Sequence, residues 1–210
     1  AIANQLHIRL THQPEGLIRG ALLFQEEKYQ EKAEILREKG TDRSKFFRGQ
    51  VDKYTWVDFG SSYLPSDLNA AYLYAQLEMA KEINDKRMSI WNLYNEAFAE
   101  LEEKHVVERP FVPDYAVHNA HMYYLKLKDL ETRTAFIRYM KENGVQCVFH
   151  YIPLHTATAG KKFGRFHGED IYTTKESERL VRLPMYYNLD LSQAQQVADL
   201  VRKFPGYKEI

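Results

Sequence analysis

Residues Tyr54–Leu77 read YTWVDFGSSYLPSDLNAAYLYAQL and join two very different kinds of sequence. The first half ends a stretch from Thr41 that is rich in aromatic residues and glycine and predicts a long irregular loop. Ser66 then predicts the N-cap of a helix, because its side-chain oxygen can accept a backbone hydrogen bond. If that helix continues to Lys104, it is about 57 Å long, and we expect its charged segment 81–87 to be either a bend or the solvent-exposed middle of the helix.

The chain after residue 110 changes from this helical pattern to a mixture of strand and helix patterns. The predicted strands and helices are, in order, a strand in 121–129, a helix in 131–144, a strand in 145–152, and helices starting at Thr173 and Ser192. Capping boxes are predicted for both last helices, with Glu176 and Gln195 in the reciprocal positions. The order predicts a small α+β lobe with helices on one face of a sheet.

Composition excludes several classes of function. Lys+Arg and Asp+Glu both number 29 in the 210 residues, so net charge does not favour nucleic-acid binding. We find no apolar stretch long enough to cross a bilayer, and therefore predict no membrane association. The single cysteine, Cys147, excludes an intramolecular disulfide and indicates a reducing, cytoplasmic location.

The segment VFHYIPLH contains His150 and His155, which suggest a metal site, a catalytic pair or a ligand contact. Pro153 lies between them and prevents the helical spacing that a zinc-binding histidine pair requires. No cysteine or carboxylate lies at a convincing metal-ligand spacing, so we predict no metal site. The remaining alternatives are ligand contact and hydrogen-bonded histidines at a strand end, and the residues alone leave both open.

The segment Gly60–Leu64, GSSYL, is followed by Ala70-Ala71 and Gln76-Leu77. This phrase resembles the DegT/DnrJ/EryC1/StrS family of sugar aminotransferases, in which a Gly-x-Asn-Tyr-Arg loop precedes such a helix. Ser62 and Leu64 depart from that pattern. They resemble one subgroup, the dTDP-4-amino-4,6-dideoxygalactose transaminases of enterobacterial common antigen synthesis. The phrases NAHMYYLKL, FHYIPLH and YTTKESERLVRLPMYYNL also resemble this subgroup.

The resemblance implies an α/β fold class. The chain resembles the C-terminal part of a fold-type-I PLP-dependent transferase, in which a long helix leads into a small α+β lobe. It implies an unmatched segment 1–19, a remnant of the large domain over 20–110, and a small C-terminal domain over 111–210. The family's enzymes are about twice as long as this chain.

The resemblance also implies the ligands. Pyridoxal 5′-phosphate (PLP) is the family's cofactor, glutamate the amino donor and a dTDP-4-keto-6-deoxy sugar the acceptor, in a homodimer with shared sites. It assigns cofactor contact to Tyr54 and Ser62. It assigns substrate contact to Arg48, His150, Tyr151 and His155.

The catalytic lysine of the family aligns with His12, whose imidazole cannot form the covalent link to the cofactor aldehyde. We therefore expect no catalytic residue here and no transamination by this chain alone. The alternatives are a non-catalytic nucleotide-sugar-binding fragment, a dimerisation or interaction fragment, and a piece completed by a complementing chain. Tyr72, Trp91 and Tyr94 are the residues predicted to form an exposed interaction surface.

Overall fold

A computed structural model describes residues 4–7 and 20–209 of the chain. The chain divides between Met79 and Ala80 into two compact units, and each is described by itself. The domain boundaries predicted at residues 19 and 110 follow other criteria, the start of the family resemblance and the change of sequence pattern, and stay a prediction.

Within residues 4–7 and 20–79, the first unit has two strands and three helices. Strands β1 and β2 pair antiparallel, with His7 opposite Gly20. Their bounds, and those of the helices, are β1 Asn4–His7, β2 Gly20–Leu23, α1 Gln30–Arg37, α2 Arg43–Phe47 and α3 Asp67–Glu78, with a 3-10 turn at Glu27–Tyr29 before α1. Ser66 caps α3 by accepting from the backbone N–H of Asn69, which confirms the predicted cap.

The second unit is an α+β lobe. Its elements are α4 Ala80–Ala97, α5 Ala99–Glu103, β3 Tyr124–Lys126, α6 Leu130–Glu142, β4 Val148–Phe149, α7 Thr158–Phe163, α8 Thr173–Arg179, β5 Leu180–Arg182, α9 Leu191–Arg202 and a 3-10 turn at Pro205–Glu209. The sheet has the order β3-β5-β4, and both pairings are antiparallel. Arg182 of β5 lies opposite Tyr124 on one side and Val148 on the other.

The hydrophobic core lies in the second unit. Tyr94, Tyr123, Leu125, Phe136 and Val181 are all fully buried, and they join α4, β3, α6 and β5 in one cluster. By contrast, Gly40 is the only buried residue among those whose burial is described in the first unit. The second unit therefore has the apolar burial that normally drives folding, whereas the first unit is held mainly by backbone hydrogen bonds and ion pairs.

The helical pattern from Ser66 to Lys104 is divided into α3, α4 and α5 by non-helical residues at Met79 and Phe98. The segment 81–87 is the regular first half of α4, so the expected bend is wrong there, but most of its residues are exposed, as the alternative predicted. Its last residue, Arg87, is buried and donates to the backbone carbonyls of Ala120, His121 and Met185. These bonds explain why a charged residue is tolerated inside the lobe.

The predicted interaction surface is wrong for Trp91 and Tyr94. Both side chains are buried, because they pack edge-on or tilted against Tyr123. Tyr72 on α3 is exposed, as predicted. The helical period therefore identified an apolar face correctly, but in α4 this face packs into the core of the lobe and does not face solvent.

Two predicted capping boxes are also wrong. Helix α8 has no side-chain cap, and Glu176 instead pairs with Lys126 at 2.7 Å and with Arg179 at 3.2 Å. The N-cap of the last helix is Asp190, two residues before the predicted cap Ser192, and Gln193 is its reciprocal partner.

Three other local predictions need correction. The loop from Thr41 contains the short helix α2, and strand pairing near Cys147 is limited to the two residues of β4. Within the segment Gly20–Phe24, residues Gly20–Leu23 form β2, and the expected burial is wrong for Leu22 and Phe24, which are exposed. Among the described helices, none has the length and apolar content required to cross a membrane.

Candidate functional site

A cavity of about 340 Å³ lies in the first unit. Tyr54 and Ser62, both predicted from the sequence to contact a cofactor, are among its lining residues. The described residues that line it are Arg37, Glu38, Lys39, Thr41, Arg43, Tyr54, Ser62 and Leu64. The lining includes three basic residues and one acidic residue. Tyr54 and Ser62 add hydroxyl groups, whereas the hydroxyl of Thr41 already donates to the Glu38 carbonyl oxygen at 2.7 Å.

The walls of the cavity are built by the backbone after α1. The amide of Lys39 donates to Ser61 O, and the amides of Val57 and Asp58 both donate to Gly40 O. Gly40 has φ +77°, and a Cβ there would lie 1.8 Å from the Asp58 carbonyl oxygen. Only glycine permits this close approach, so the α1 terminus and the segment 56–63 meet at a fixed place.

The charge of the cavity is not neutralised by its single carboxylate. Glu38 accepts from Arg37 at 3.2 Å and from Ser44 at 3.3 Å, whereas its nearest approach to Arg43 is 4.0 Å. The guanidinium of Arg43 lies over the rings of Phe47 and Tyr54, at 5.0 and 5.9 Å. The cavity therefore has a net positive charge and suits an anion such as phosphate.

Arg48, predicted to contact substrate, is not among the described residues that line this cavity. Its two terminal nitrogens donate to the carboxylate oxygens of Glu34 at 2.9 and 2.8 Å. This fork lowers the pKa of Glu34, and it raises the pKa of Arg48. In this arrangement Arg48 fastens α2 to α1, and its role toward substrate stays a prediction.

His150 and Tyr151 follow β4 in the second unit. Their rings meet edge-on at 5.3 Å, and the Tyr151 ring is exposed. Tyr151 has φ +51°, a left-handed conformation that is uncommon for a bulky residue. Backbone strain of this kind is often found where a side chain must be held toward a ligand.

His155 is held by neighbours from the next part of the chain. Its Nε2 lies 2.6 Å from Asp170 Oδ2, and its ring is tilted against that of Phe166, with 4.3 Å between the ring centres. Hydrogen bonds from Thr174, together with His155, keep the pKa of Asp170 below its usual value. Since Asp170 is ionised at neutral pH, Nε2 of His155 carries a proton and Nδ1 remains for another partner.

The described residues contain no group of three or more histidine, cysteine or acidic side chains arranged to hold a metal ion. Cys147 is buried, and this burial raises its pKa to about 12. A thiol with such a pKa is protonated at neutral pH and is a poor nucleophile. His12, which aligned with the family's lysine, lies outside the described residues.

Several residues of these sites were missed in the sequence. Arg37, Lys39 and Arg43 line the cavity together with Tyr54. In the sequence they stand within an ordinary charged segment, and only the folded structure shows that they share a cavity. Asp170 contacts His155 although fifteen positions separate the two residues in the sequence. No local pattern signals such pairs.

A model of the DegT/DnrJ/EryC1/StrS aminotransferase family matches residues 16–202. The uncharacterized protein MJ1066 of Methanocaldococcus jannaschii is 29% identical over 198 residues, which are 88% of this chain and 49% of that protein. The family is PLP-dependent, and solved structures with this fold include PLP and PMP forms.

Two solved aminotransferases have the same fold as the chain. TlmJ of Streptoalloteichus hindustanus superposes with a TM-score of 0.72 at 22% identity, over 91% of this chain and 48% of TlmJ. PseC of Helicobacter pylori, an aminotransferase involved in pseudaminic acid biosynthesis, also has a TM-score of 0.72, at 18% identity over 91% and 49%. The predicted fold class is confirmed, and the chain spans about half the length of the relatives it matches.

Proposed function

The chain belongs to the DegT/DnrJ/EryC1/StrS aminotransferase family, and on that premise we propose that it forms part of a PLP-dependent sugar aminotransferase site. In this proposal the first-unit cavity holds the cofactor phosphate, and the His150–His155 loop contacts the sugar nucleotide. The observation that carries it is the grouping of Arg37, Lys39 and Arg43 around Tyr54 and Ser62.

The lining residues fit one end of PLP. Guanidinium and hydroxyl donors are the groups that recognise phosphate, and the cavity supplies both kinds. The one carboxylate in the lining, Glu38, is engaged by Arg37 and Ser44 and is not free to pair with a pyridinium nitrogen. We therefore assign only the phosphate end of the cofactor to these residues.

When bound, PLP supplies the electron sink that amino transfer requires. This chain's part is binding and orientation. Arg43, whose guanidinium lies over the rings of Phe47 and Tyr54, presents that group to the phosphate. His155, oriented by Asp170, offers Nδ1 as an acceptor to a hydroxyl group of the sugar nucleotide.

The finer assignments belong to the same proposal. Glutamate is the amino donor and a dTDP-4-keto-6-deoxy sugar the acceptor, as in the enterobacterial common antigen subgroup that the sequence resembles. The site is completed in a homodimer or by a complementing chain in the cytoplasm. With His12 aligned to the family's lysine, the chain alone performs no transamination.

Substitution at the cavity tests the proposal. Arg43→Gln removes a charge-assisted hydrogen bond to phosphate, so PLP should bind about tenfold more weakly than to the natural chain. Lys45→Gln is the matched control, because Lys45 lies two residues away, pairs with Glu31 and does not line the cavity. Equilibrium dialysis measures both; equal affinities for the two variants would contradict the proposal.

A second candidate function is an interaction surface in the first unit. Three large apolar side chains are mostly exposed there: Trp56 at 74%, Phe59 at 82% and Leu68 at 84%. Such a concentration of apolar surface is typical of protein contacts. Light scattering tests it: self-association or association with a complementing chain supports this function, and a non-aggregating monomer counts against it.

A further inference from the structure

Two arginines of the second unit contact the same residue, Phe149 at the end of β4. The guanidinium carbon of Arg133, on α6, lies 5.3 Å from the centre of the Phe149 ring. Nη2 of Arg182, on β5, donates to the Phe149 carbonyl oxygen at 3.4 Å. Two positive charges therefore lie next to the residue that precedes His150 and Tyr151.

Neither of these charges is paired. Arg133 and Arg182 are partly buried, yet in the part of the chain that the structure describes neither forms an ion pair with a carboxylate. Arg179, three residues before Arg182, pairs with Glu108 and Glu176 instead. A partly buried charge without a partner destabilises a fold. Two such arginines at one place therefore indicate an anionic ligand that pairs with them.

The hydrogen-bonding groups of the two arginines are also unused. Nε and Nη1 of Arg133 and Nε of Arg182 are buried atoms without a hydrogen-bond acceptor among the described residues. Burial lowers the pKa of Arg133, and Glu178 opposes this from a distance too long for an ion pair. Buried donors in native proteins are nearly always satisfied, so these nitrogens indicate an acceptor that arrives with a ligand.

Tyr151 adds an aromatic surface beside the charges. Its exposed ring lies 5.9 Å from the guanidinium carbon of Arg182. The left-handed backbone of Tyr151, at φ +51°, sets the direction of the chain at this point. A cation next to an exposed, fixed aromatic ring is suited to a ligand with both an anionic part and a flat or ring-shaped part.

We propose that Arg133 and Arg182 bind the diphosphate of a sugar nucleotide, with the Tyr151 ring packed against its sugar or base. Guanidinium groups form paired hydrogen bonds with phosphate oxygens, which a lysine at the same position does not. A diphosphate offers two such phosphate groups to two arginines. This inference rests on the proposed function for the choice of ligand, and it extends the substrate contact beyond the loop histidines.

Calorimetric titration with dTDP and with inorganic pyrophosphate tests the site. The natural chain should bind both, dTDP more tightly, with an affinity that falls as salt rises. Arg182→Gln and Arg133→Gln should each lower the affinity for dTDP by about tenfold, which is the loss expected for one charge-assisted contact. Arg138→Gln is the matched control, because Arg138 is on the same helix as Arg133 but is exposed.

The titration has two possible outcomes. Weaker dTDP binding by both site variants with unchanged binding by the Arg138 variant supports the proposal. Equally weakened dTDP binding in all three variants, or no dTDP binding by the natural chain, would overturn it. Hydrogen exchange of the natural chain needs no variant: dTDP should protect 148–152 and the Arg133 turn of α6, and unchanged exchange there would also overturn it. PLP dialysis on the same samples reports the first-unit cavity separately, so failure of the proposed function is distinguishable.

Discussion

Arg43 and Arg48 are five residues apart and have the same chemistry, but the fold gives them different surroundings. Arg48 is neutralised by the Glu34 carboxylate, while Arg43 lines the cavity with Tyr54. Sequence reasoning assigned Arg48 to substrate and did not single out Arg43. Residue types could be predicted from the sequence, but these pairings could not, because they join positions more than ten residues apart.

Cys147 provides a test at the residue scale. Burial raises its pKa to about 12, whereas the thiol titrates near 8.5 in an unfolded chain. At pH 8 the folded chain should therefore react with Ellman's reagent only slowly, and full reaction should appear in urea. Because the chain has one cysteine, the whole signal comes from this residue.

The same shift gives a pH dependence with a definite sign. Between about pH 8.5 and pH 12 the unfolded chain loses the thiol proton and the folded chain keeps it, so this group's contribution to stability falls as pH rises. Rapid stoichiometric labelling of the folded chain at pH 8 would show that the thiol is not buried.

At the scale of elements, the start of α9 shows why a local pattern was misread. The segment DLSQAQ contains two overlapping capping boxes, one from Asp190 to Gln193 and one from Ser192 to Gln195. The structure uses Asp190, which places the buried residues Leu189 and Ala194 at the two staple positions. The two candidate caps fit the capping-box pattern equally well, and the burial of Leu189 and Ala194 favours the one at Asp190. At α3, Ser66 had no competitor and was predicted correctly.

The two candidate caps can be separated experimentally. Asp190→Ala removes the acceptor for the Gln193 amide and should lower the free energy of unfolding by about 1 kcal/mol. Gln195→Ala, which alters only the box that the structure does not use, is the control and should have a smaller effect. Urea denaturation of the second unit measures both, and a larger loss for the Gln195 variant would restore the original prediction.

Gly40 and Gly49 form a second matched pair. Both have left-handed backbones, at φ +77° and +68°, but a Cβ meets the Asp58 carbonyl only at Gly40. Gly49→Ala should cost about 1 kcal/mol from backbone strain alone, whereas Gly40→Ala should also separate the walls of the cavity.

The effect of the two glycine substitutions is measured by hydrogen exchange of the amides of Val57 and Asp58, which donate to Gly40 O. Exchange should accelerate strongly in Gly40→Ala and change little in Gly49→Ala. Similar exchange in the two variants would mean that the glycine contact does not hold the cavity.

At the scale of the whole molecule, apolar burial is distributed unevenly. The second unit buries an aromatic and aliphatic cluster that includes Tyr94 and Phe136, and the alternating sequence pattern predicted its α+β character well. The first unit exposes Trp56, Phe59 and Leu68. Its fold class was recognisable by resemblance to a family, but hydrophobic periodicity could not reveal it, since the unit has almost no buried side chains.

This distribution predicts two different stabilities within one chain. Amides of 80–204 in helices and strands should be strongly protected from hydrogen exchange, whereas amides of 20–78 should exchange through local opening at low free energy. Mass spectrometry of exchanged peptides measures both sets in one experiment. Equal protection of the two units would contradict the assignment of the core to the second unit.

The central claim is that the first-unit cavity recognises the phosphate of PLP, and comparing PLP with pyridoxal, which lacks the phosphate, tests it most directly. Equilibrium dialysis of both ligands against the natural chain requires no substitution. We predict saturable binding of PLP at one site and at least about tenfold weaker binding of pyridoxal, since the charge-assisted contacts to phosphate are absent. Equal binding of the two ligands, or no saturable binding of PLP, would contradict the claim.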